Sequence, residues 1–518
     1  MPEQYYLTTS AFYPNAEPHI GSGFEMIGTD VAARYHRLRG DEVYFLTGLD
    51  EHGEKIQRRA EERGLTPQAH VDEMAEKFAS AWRALDISYD DLLRTTEPRH
   101  EAAVVEMWKR CKASGDIYKD HYTGWYCNQC ERYFPENQLG PERTCPTHNK
   151  PLEQLDEDAY FFRLDRYADK LLAWYDAHPE FIKPDSRANE SRRFVEQGLE
   201  PLCVSRTSID WGVPVPDDPE HVMYVWFDAV TFYSSSAGFG TDEERFEKWW
   251  PADAHIIGKD ILRFHTIIWP AMLMSAGLEL PRQVDVHGFI HLRVKNEAGQ
   301  DEDVKISKSI LSINVEDVVA QYGTDALRYY LMREVPFLGD GNYSEAGLVE
   351  RFNSDLANDL GNLLNRSLAM IHKYRGGTVP EPNEAEASDT ELQELAAGLL
   401  PRLDEQMCAY ALRDGLEMIW ELVTATNRYI EKNQPWVLAK DESKADRLDT
   451  VLYTMAEATR IITVLVWPFI PGSAEKMADQ LACESFPGTL PEAAAWGGLQ
   501  PGTEVQRGKP VFPRIETD

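Results

Sequence analysis

The sequence has no apolar run that approaches the roughly 18 residues a membrane-spanning helix needs. Its first residues, Met1-Pro2-Glu3-Gln4, lack a charged stretch followed by an apolar one. No secretory signal is therefore expected, and a cytoplasmic location is. Cysteine is scarce: there are seven in 518 residues, an odd number widely spread, which argues against a disulfide framework. Positive charge is scarce too, with 53 Lys and Arg against 87 Asp and Glu and a net charge of −34. Phosphate binding needs Lys and Arg. Net charge is a sum over the whole chain, however, and a local basic stripe fits within it. Composition thus neither supports nor excludes a nucleic-acid partner. No internal repeat is visible. Hydrophobic content is 43%, enough for real cores, and the length suggests roughly three or four domains.

Periodicity organises the chain. Tyr5 to Thr9 reads as a strand, and Tyr13 to Pro18 is rich in turn residues. Phe24, Ile27, Val31, Tyr35 and Leu38 then recur at helical spacing, with Gly40 as the stop. Val43 to Leu46 reads as the next strand. Strand, helix and strand with short connections predict a βαβ unit and a parallel sheet. From about Tyr118 to Asp218 periodicity fades and turn residues dominate, as in an insertion. Strand-like sequence resumes at Val222 to Phe227, His255 to Gly258 and Val284 to Val286. Beyond Glu345, long helical patterns run from Leu348 to Tyr374, Thr390 to Lys432 and Arg447 to Leu481. The tail from Pro491 is rich in Gly and Pro and is expected to lie back on the body.

The division expected from this pattern is a nucleotide-binding domain in two halves, 1–117 and 219–296, split by an insertion at 118–218. A connecting region at 297–345, a helical domain at 346–490 and a tail at 491–518 follow.

Three motifs carry chemistry. Pro18-His19-Ile20-Gly21-Ser22 lies between strand and helix, where a doubly wound sheet binds nucleotides. Free N–H groups at the helix start suit a phosphate, Gly21 lets a ligand approach the backbone, and His19 can donate to a phosphate oxygen. An ordinary turn would read the same. Lys305-Ile306-Ser307-Lys308-Ser309 follows the acidic run Asp301-Glu302-Asp303 and suits a loop that closes on a triphosphate, although a solvated charged loop has the same composition. Cys127-x-x-Cys130 and Cys145-x-x-His148 are two chelating pairs. Together they supply four ligands for one structural zinc ion, with no open catalytic position implied, although reduced cysteines in a small loop core would read the same.

The first two motifs, in this order and far apart, resemble the HIGH and KMSKS signatures of class I aminoacyl-tRNA synthetases. Further blocks make the resemblance closer: Asn15-Ala16-Glu17-Pro18-His19, Thr47-Gly48-Leu49-Asp50-Glu51-His52-Gly53, Tyr224-Val225-Trp226-Phe227-Asp228-Ala229, Ile257-Gly258-Lys259-Asp260-Ile261 and Asp325-Ala326-Leu327-Arg328-Tyr329-Tyr330. Over nearly its whole length the chain resembles the methionyl-tRNA synthetase family, in its compact form with one zinc knuckle. The fold implied is α/β: a Rossmann-type nucleotide-binding domain split by a zinc-binding insertion, then an all-α anticodon-binding bundle.

The activity implied is ATP-dependent activation of methionine to its adenylate, then transfer to the 3′ end of initiator and elongator tRNA(Met), with Mg2+ accompanying ATP. The resemblance implies roles for His19, Gly21, Ser22, Asp260, Lys305 and Lys308 toward ATP, with Asp260 near the ribose. Asp50 would take the α-ammonium. Ala11, Tyr13, Trp226, Ala229, Tyr233, Ile261, Phe264 and His265 would line the methionine pocket, where a polarisable thioether packs on aromatic rings. Asn362, Arg366 and Trp436 would read the anticodon. With no further domain after the bundle, a monomer is expected.

The chain departs from the family pattern in places. Ser22 replaces the last His of the first signature, and Ile306 replaces Met in the second. The stretch between His287 and Lys305 is longer and more acidic than usual, and Ile310-Leu311-Ser312-Ile313 stands where Gly-Asn is customary. Three other readings stay open at this level: another class I synthetase, for leucine, isoleucine, valine or cysteine, a small-molecule adenylyltransferase of the same fold, and a non-catalytic RNA-binding relative. An insertion of about a hundred residues is small for an editing domain, and an adenylyltransferase needs no anticodon reader. A non-catalytic relative would not need His19, Asp50, Lys305 and Lys308.

Overall fold

The run Gln4–Phe12, dense in Tyr, Thr and Phe, forms strand β1 in the computed structural model. The structure describes residues 3–127, 132–134, 139–140, 143–145, 150–295, 301–305, 313–483 and 488–516. Helix α1 (Ile20–Arg39) follows and ends at Gly40, whose φ of 99° is the left-handed conformation that closes a helix at least cost in glycine. Next come β2 (Glu42–Leu49), α2 (Glu54–Glu62), α3 (Pro67–Ala84), β3 (Asp91–Arg94) and α4 (Pro98–Ala113).

The stretch expected as an insertion holds β4 (Ile117–Cys127), β5 (Arg132–Phe134), β6 (Glu153–Phe162), α5 (Ala168–Ala177), β7 (Ile182–Lys183), α6 (Asp185–Glu196), β8 (Leu202–Cys203), β9 (Ser205–Arg206) and β10 (Pro214–Val215). Of these, β5-β4-β6-β8 form an antiparallel sheet of their own. Strand β7 does not stay with them. It pairs in parallel with the main sheet, Ile182 opposite Val284 and Lys183 opposite Asp285. The expected insertion at 118–218 is corrected accordingly: its middle returns to complete the nucleotide-binding sheet. A two-residue strand leaves no period to read.

A second correction concerns Val222 to Phe227. Strand β11 covers Asp218–Met223 and joins the small sheet β10-β11-β9. Helix α7 (Val225–Ser236) begins immediately after it. Six consecutive apolar or aromatic residues fit a buried strand and a buried helix equally, and α7 is buried on nearly all sides.

Then follow α8 (Glu243–Trp249), β12 (Ala254–Gly258), α9 (Trp269–Ala276) and β13 (Gln283–His287). The main sheet runs β3-β2-β1-β12-β13-β7, all parallel. Its order reverses between β1 and β12, and that is where an open α/β sheet leaves a crevice at its strand ends. A side sheet follows from β14 (Ile290–Lys295), β15 (Asp301–Lys305) and β16 (Gly341–Tyr343), with α10 (Val315–Tyr322) and α11 (Thr324–Glu334) between the last two.

The remainder is helical: α12 (Glu345–Arg351), α13 (Asn362–Arg375), α14 (Ala387–Cys408), α15 (Leu412–Asn433), α16 (Pro435–Leu438), α17 (Ala445–Val466), α18 (Pro471–Leu481) and α19 (Leu490–Ala493). A ten-residue π-helical segment, Phe352–Gly361, joins α12 to α13. One apolar core runs without a break from α1 through α11 into this bundle. Another lies on the opposite face of the sheet around Trp108 and Trp269.

Arg328, fully buried, pins the two parts together. It donates to Asp30 at 2.7 Å, Leu85 O at 3.1 Å, Pro468 O at 2.8 Å and Phe469 O at 3.0 Å. The tail returns to the body: Phe512 is buried, Gln480 donates to Lys509 O at 2.9 Å, and Asn353 pairs with Ile515.

Candidate active site

A cavity of about 470 Å³ opens over the ends of β1, β12 and β13. Ala11, Tyr13, Asp50, Trp226, Ala229, Tyr233, Ile261 and His265 line it, together with His19, Gly21, Ser22 and Asp260. Twelve residues expected at the site from five separate stretches of chain thus converge on one space. Phe264 stands one layer back. Its ring stacks behind Trp226 at 3.6 Å with an interplanar angle of 9°, and so braces the wall. The backbone there is a π-helical turn, Phe264–Ile268, a widening that helical periodicity does not announce.

The apolar end of the cavity closes on a neutral polar pair. His265 Nδ1 lies 3.0 Å from Ile261 O, so that nitrogen carries the proton. Nε2 then accepts from the Tyr233 hydroxyl at 2.6 Å. Burial pushes the His265 pKa down to about 4, so the ring stays uncharged. An apolar pocket with an uncharged end rejects charged side chains, because burying an unpaired charge is costly. Asp50, 5% exposed, stands at the end of β2, and its N–H donates to Phe12 O at 2.9 Å.

His19 caps α1, with Nδ1 accepting from Gly21 N–H at 3.0 Å. That leaves Nε2 as the protonated nitrogen of a neutral ring. Ser22 completes a capping box: its Oγ accepts from His19 N–H at 2.9 Å and donates to His19 O at 2.8 Å. The serine found in place of histidine therefore serves the helix start, and its proton is already spent there.

The two signatures approach each other through their described flanks. Lys305 ends β15 opposite His291, next to Ile290 in the cavity lining. On the far side of 306–312, Asn314 bridges His19, and Ile20 N–H donates to Ile313 O at 3.0 Å. Lys308 lies outside the described residues, as does the side chain of Lys305.

Sequence reasoning missed the groups behind the walls. Asp228, 1% exposed on α7, accepts from His52 Nδ1 and His100 Nε2, each at 2.7 Å. His100 Nδ1 meets Ser235 Oγ at 2.9 Å. Burial works against the Asp228 charge, but the two imidazoles win and hold the carboxyl well below the usual carboxylate range. The cluster locks α7, which carries Trp226, Ala229 and Tyr233, to the turn after Asp50. Glu25 and His287, also in the lining, pair at 2.9 Å. His52 and Asp228 stood inside family blocks and so were visible in the sequence. Nothing marked their pairing.

Comparisons with known proteins give the family. A family model described as "tRNA synthetases class I (M)" matches residues 5–154 and 147–368. One described as "Anticodon binding domain of methionyl tRNA ligase" matches residues 379–518. The methionine–tRNA ligase of Caldanaerobacter subterraneus subsp. tengcongensis is 46% identical over 100% of this chain and 80% of that protein.

The chain belongs to the methionyl-tRNA synthetases.

The Thermotoga maritima methionine–tRNA ligase is 44% identical over 99% of this chain and 80% of its own length. Among solved structures, the Mycobacterium tuberculosis methionyl-tRNA synthetase in complex with methionyl-adenylate superposes with a TM-score of 0.92 at 45% identity, covering 99% of this chain and 100% of that one. The free form of the M. tuberculosis enzyme gives 0.87 at 42% identity, covering 100% and 99%. The activity is methionine–tRNA ligation: ATP-dependent formation of methionyl-adenylate, then transfer to tRNA.

Two other sets of expected residues lie away from the cavity in sequence. Of the four zinc ligands, Cys130 and His148 lie outside the described residues, as does the Cys127 side chain. Cys145 is fully buried against Leu152, with Trp125 and Leu139 beside it. On the bundle, Arg366 sits over the Trp436 ring at 6.0 Å and pairs with Glu431 at 2.5 Å. Asn362 is exposed one turn earlier on α13. Trp436 is half-buried at the start of α16, and Val437 beside it is 43% exposed.

Proposed function

We propose that the cavity over β1, β12 and β13 is where methionine and MgATP meet, with each wall serving one substrate. The observation that carries this reading is the convergence of Asp50, the Tyr233–His265 end and the His19 cap on a single space. Asp50 takes the α-ammonium. The side chain enters between Trp226, Ala229 and Ile261 and ends at Tyr233. Asp260 takes the ribose, and the start of α1 with His19 and Gly21 takes phosphate.

The methionine carboxylate attacks the α-phosphorus, and pyrophosphate leaves. Glu17, Glu25, Asp50 and Asp260 all line the cavity, and Lys55 is the one Lys or Arg among its described lining residues. A triphosphate entering such a site needs cations from elsewhere. Mg2+ arrives with ATP, and Lys305 and Lys308 supply charge as pyrophosphate departs.

The donor set Cys127, Cys130, Cys145 and His148 fits a structural zinc ion. The apolar cluster around Cys145 has only Leu152 as a second buried member among the described residues, too little core to fold alone. Zinc would hold the β4–β5 hairpin to this cluster and take no part in the chemistry. Asn362, Arg366 and Trp436 form the tRNA-reading face. The enzyme works as a cytoplasmic monomer on initiator and elongator tRNA.

Amino-acid-dependent pyrophosphate exchange, run over all amino acids with and without tRNA, tests the reading. Methionine alone should support exchange, and it should do so without tRNA. Exchange with another amino acid at a comparable rate would overturn the pocket assignment. Purified protein from zinc-replete medium that contains no zinc would overturn the metal assignment.

A further inference from the structure

Strands β1 and β13 are not neighbours. β12 lies between them, so their ends stand roughly 10 Å apart, two strand spacings. One side chain bridges that gap. Glu25, on α1 and 4% exposed, accepts from Ser10 N–H at 2.7 Å and from Ser10 Oγ–H at 2.6 Å through Oε1. Its Oε2 accepts from His287 Nε2 at 2.9 Å. Ser10 precedes Ala11 and Phe12 at the end of β1, on the methionine side. His287 ends β13 beside Gly288 and Phe289, which also line the cavity.

The ring's other nitrogen lies 2.7 Å from Gly288 O, which can only accept. Both ring nitrogens therefore face acceptors, an arrangement that favours the positively charged imidazolium. Burial opposes that charge, but Glu25 outweighs burial and raises the His287 pKa, with Asp260 adding to it. Between the bridged ends, β12 terminates at Gly258. A Cβ there would stand 2.7 Å from Asp260 Oδ1 and 3.6 Å from His287 Nε2, so the glycine makes room for both side chains.

We propose that Glu25 is a positioning residue for adenylate formation. By tying Ser10 to His287 it fixes the separation of the methionine and nucleotide walls, and with it the approach of the carboxylate to the α-phosphorus. The proposal rests on the assignment of this cavity to methionine and MgATP. Reaction geometry is sensitive to displacements of about 1 Å, which can cost on the order of a hundredfold in rate. Ground-state binding by each wall separately is far less sensitive.

The test is steady-state pyrophosphate exchange with Glu25→Asp, Glu25→Gln, Glu25→Ala and Asp50→Ala, each also melted thermally. Glu25→Asp is one methylene too short to hold both ends. It should lower kcat roughly tenfold or more while KM for methionine and ATP moves less than about threefold. Glu25→Gln spans the gap. Its amide oxygen accepts from Ser10, and its N–H donates to a neutral His287 protonated on Nδ1. It should keep kcat within about fivefold of wild type. If Glu25→Ala fails to fold, the Asp and Gln variants decide. A wild-type kcat for Glu25→Asp overturns the proposal, as does a Gln variant no better than the Asp variant or a loss that falls only on KM. Asp50→Ala separates the two layers. If it leaves methionine KM unchanged, the cavity assignment fails. If it raises that KM while Glu25→Asp stays wild type, only the positioning role fails.

Discussion

Beside the cavity two carboxylates are buried and held by polar partners: Asp228 between His52 and His100, and Glu25 between Ser10 and His287. Around Trp436 the charges face solvent. The Arg366 and Glu431 side chains are 32% and 61% exposed, and Asn362 stands on an open helix turn. The difference fits the role proposed for each place. A transition state is stabilised only by groups already in position, which requires locked rotamers and satisfied buried partners. An unpaired RNA loop brings its own conformational freedom, and a stacking platform with a few mobile donors suits it. The two regions should therefore break differently: the first in stability and rate together, the second in tRNA charging alone.

The largest effect is expected at Asp228. Asp228→Ala leaves two buried histidines without their acceptor, and losing one partner of a buried charged cluster costs about 3–5 kcal/mol. Denaturant unfolding at neutral pH should show this, with exchange activity falling as α7 loosens. The pH dependence has a definite sign. His52 is buried, which opposes its charge, yet Asp228 raises its pKa above the ordinary value. Its contribution is fully present below the unfolded histidine pKa of about 6.5 and is lost as pH rises through the folded value. Asp228 is depressed, so its share is present above about pH 4 and is lost as pH falls through its low folded pKa. Wild type should thus be favoured between those limits. A variant with the same pH profile and stability would show that the cluster is ornamental.

The next effect lies where the main sheet meets the helical bundle. Asp285 is fully buried on β13, close to the Tyr5 and Tyr410 hydroxyls that join β1 to the turn before α15 at 2.8 Å. Burial pushes its pKa up to about 7. A carboxyl raised in the folded state contributes stability below its unfolded pKa and loses it as pH rises toward 7. The slope is about 1.4 kcal/mol per pH unit over that interval, or about 2 kcal/mol between roughly pH 5.5 and 7. Asp285→Asn should remove this slope and be more stable than wild type at about pH 8. Identical slopes for the two proteins would mean that Asp285 is not the titrating group.

How much of this was visible in the sequence divides along the same line. The βαβ start, the Gly40 stop and the helical bundle were legible because period and punctuation survive in single sequences. The cavity wall was legible only through the family resemblance, since Trp226 and Tyr233 in the lining and Phe264 behind it read alone as core aromatics. Strand β7 was not legible because two residues carry no pattern, and Val222 to Phe227 was misread because unbroken apolar sequence suits either element. Glu25 and Asp228 were missed for a third reason. A buried carboxylate on a helix looks like a surface residue until its partners, which lie far off in sequence, are placed beside it.

Trp436→Ala tests the solvent-facing half. Losing a stacking platform costs about 1–3 kcal/mol per base, so charging of tRNA should fall while exchange without tRNA stays near wild type. The residue is also half-buried against the bundle core, which gives the rival outcome a physical basis. Exchange and charging falling in proportion, with early melting, would make Trp436 a packing residue.

The smallest and most discriminating effect is expected at Glu431. Its carboxylate holds Arg366 at 2.5 Å, while the same guanidinium lies 6.0 Å over the Trp436 ring. An exposed ion pair is worth at most about 1 kcal/mol, so Glu431→Gln should leave the melting temperature nearly unchanged. Its effect on tRNA should be opposite to that of any loss-of-contact variant. Removing the carboxylate frees Arg366 and takes one negative charge from the face proposed to meet tRNA, a polyanion. KM for tRNA should fall by a few-fold at low salt, and the advantage should shrink as salt rises and screens it. Exchange without tRNA should not change. Arg366→Ala made in the same background should erase the gain, because without the guanidinium there is nothing for Glu431 to withhold. If Glu431→Gln tightens tRNA binding equally with and without Arg366, the effect is diffuse charge and Arg366 is not the reader. If tRNA charging weakens instead, Glu431 holds Arg366 in its working position, and the exposed face is as preorganised as the cavity.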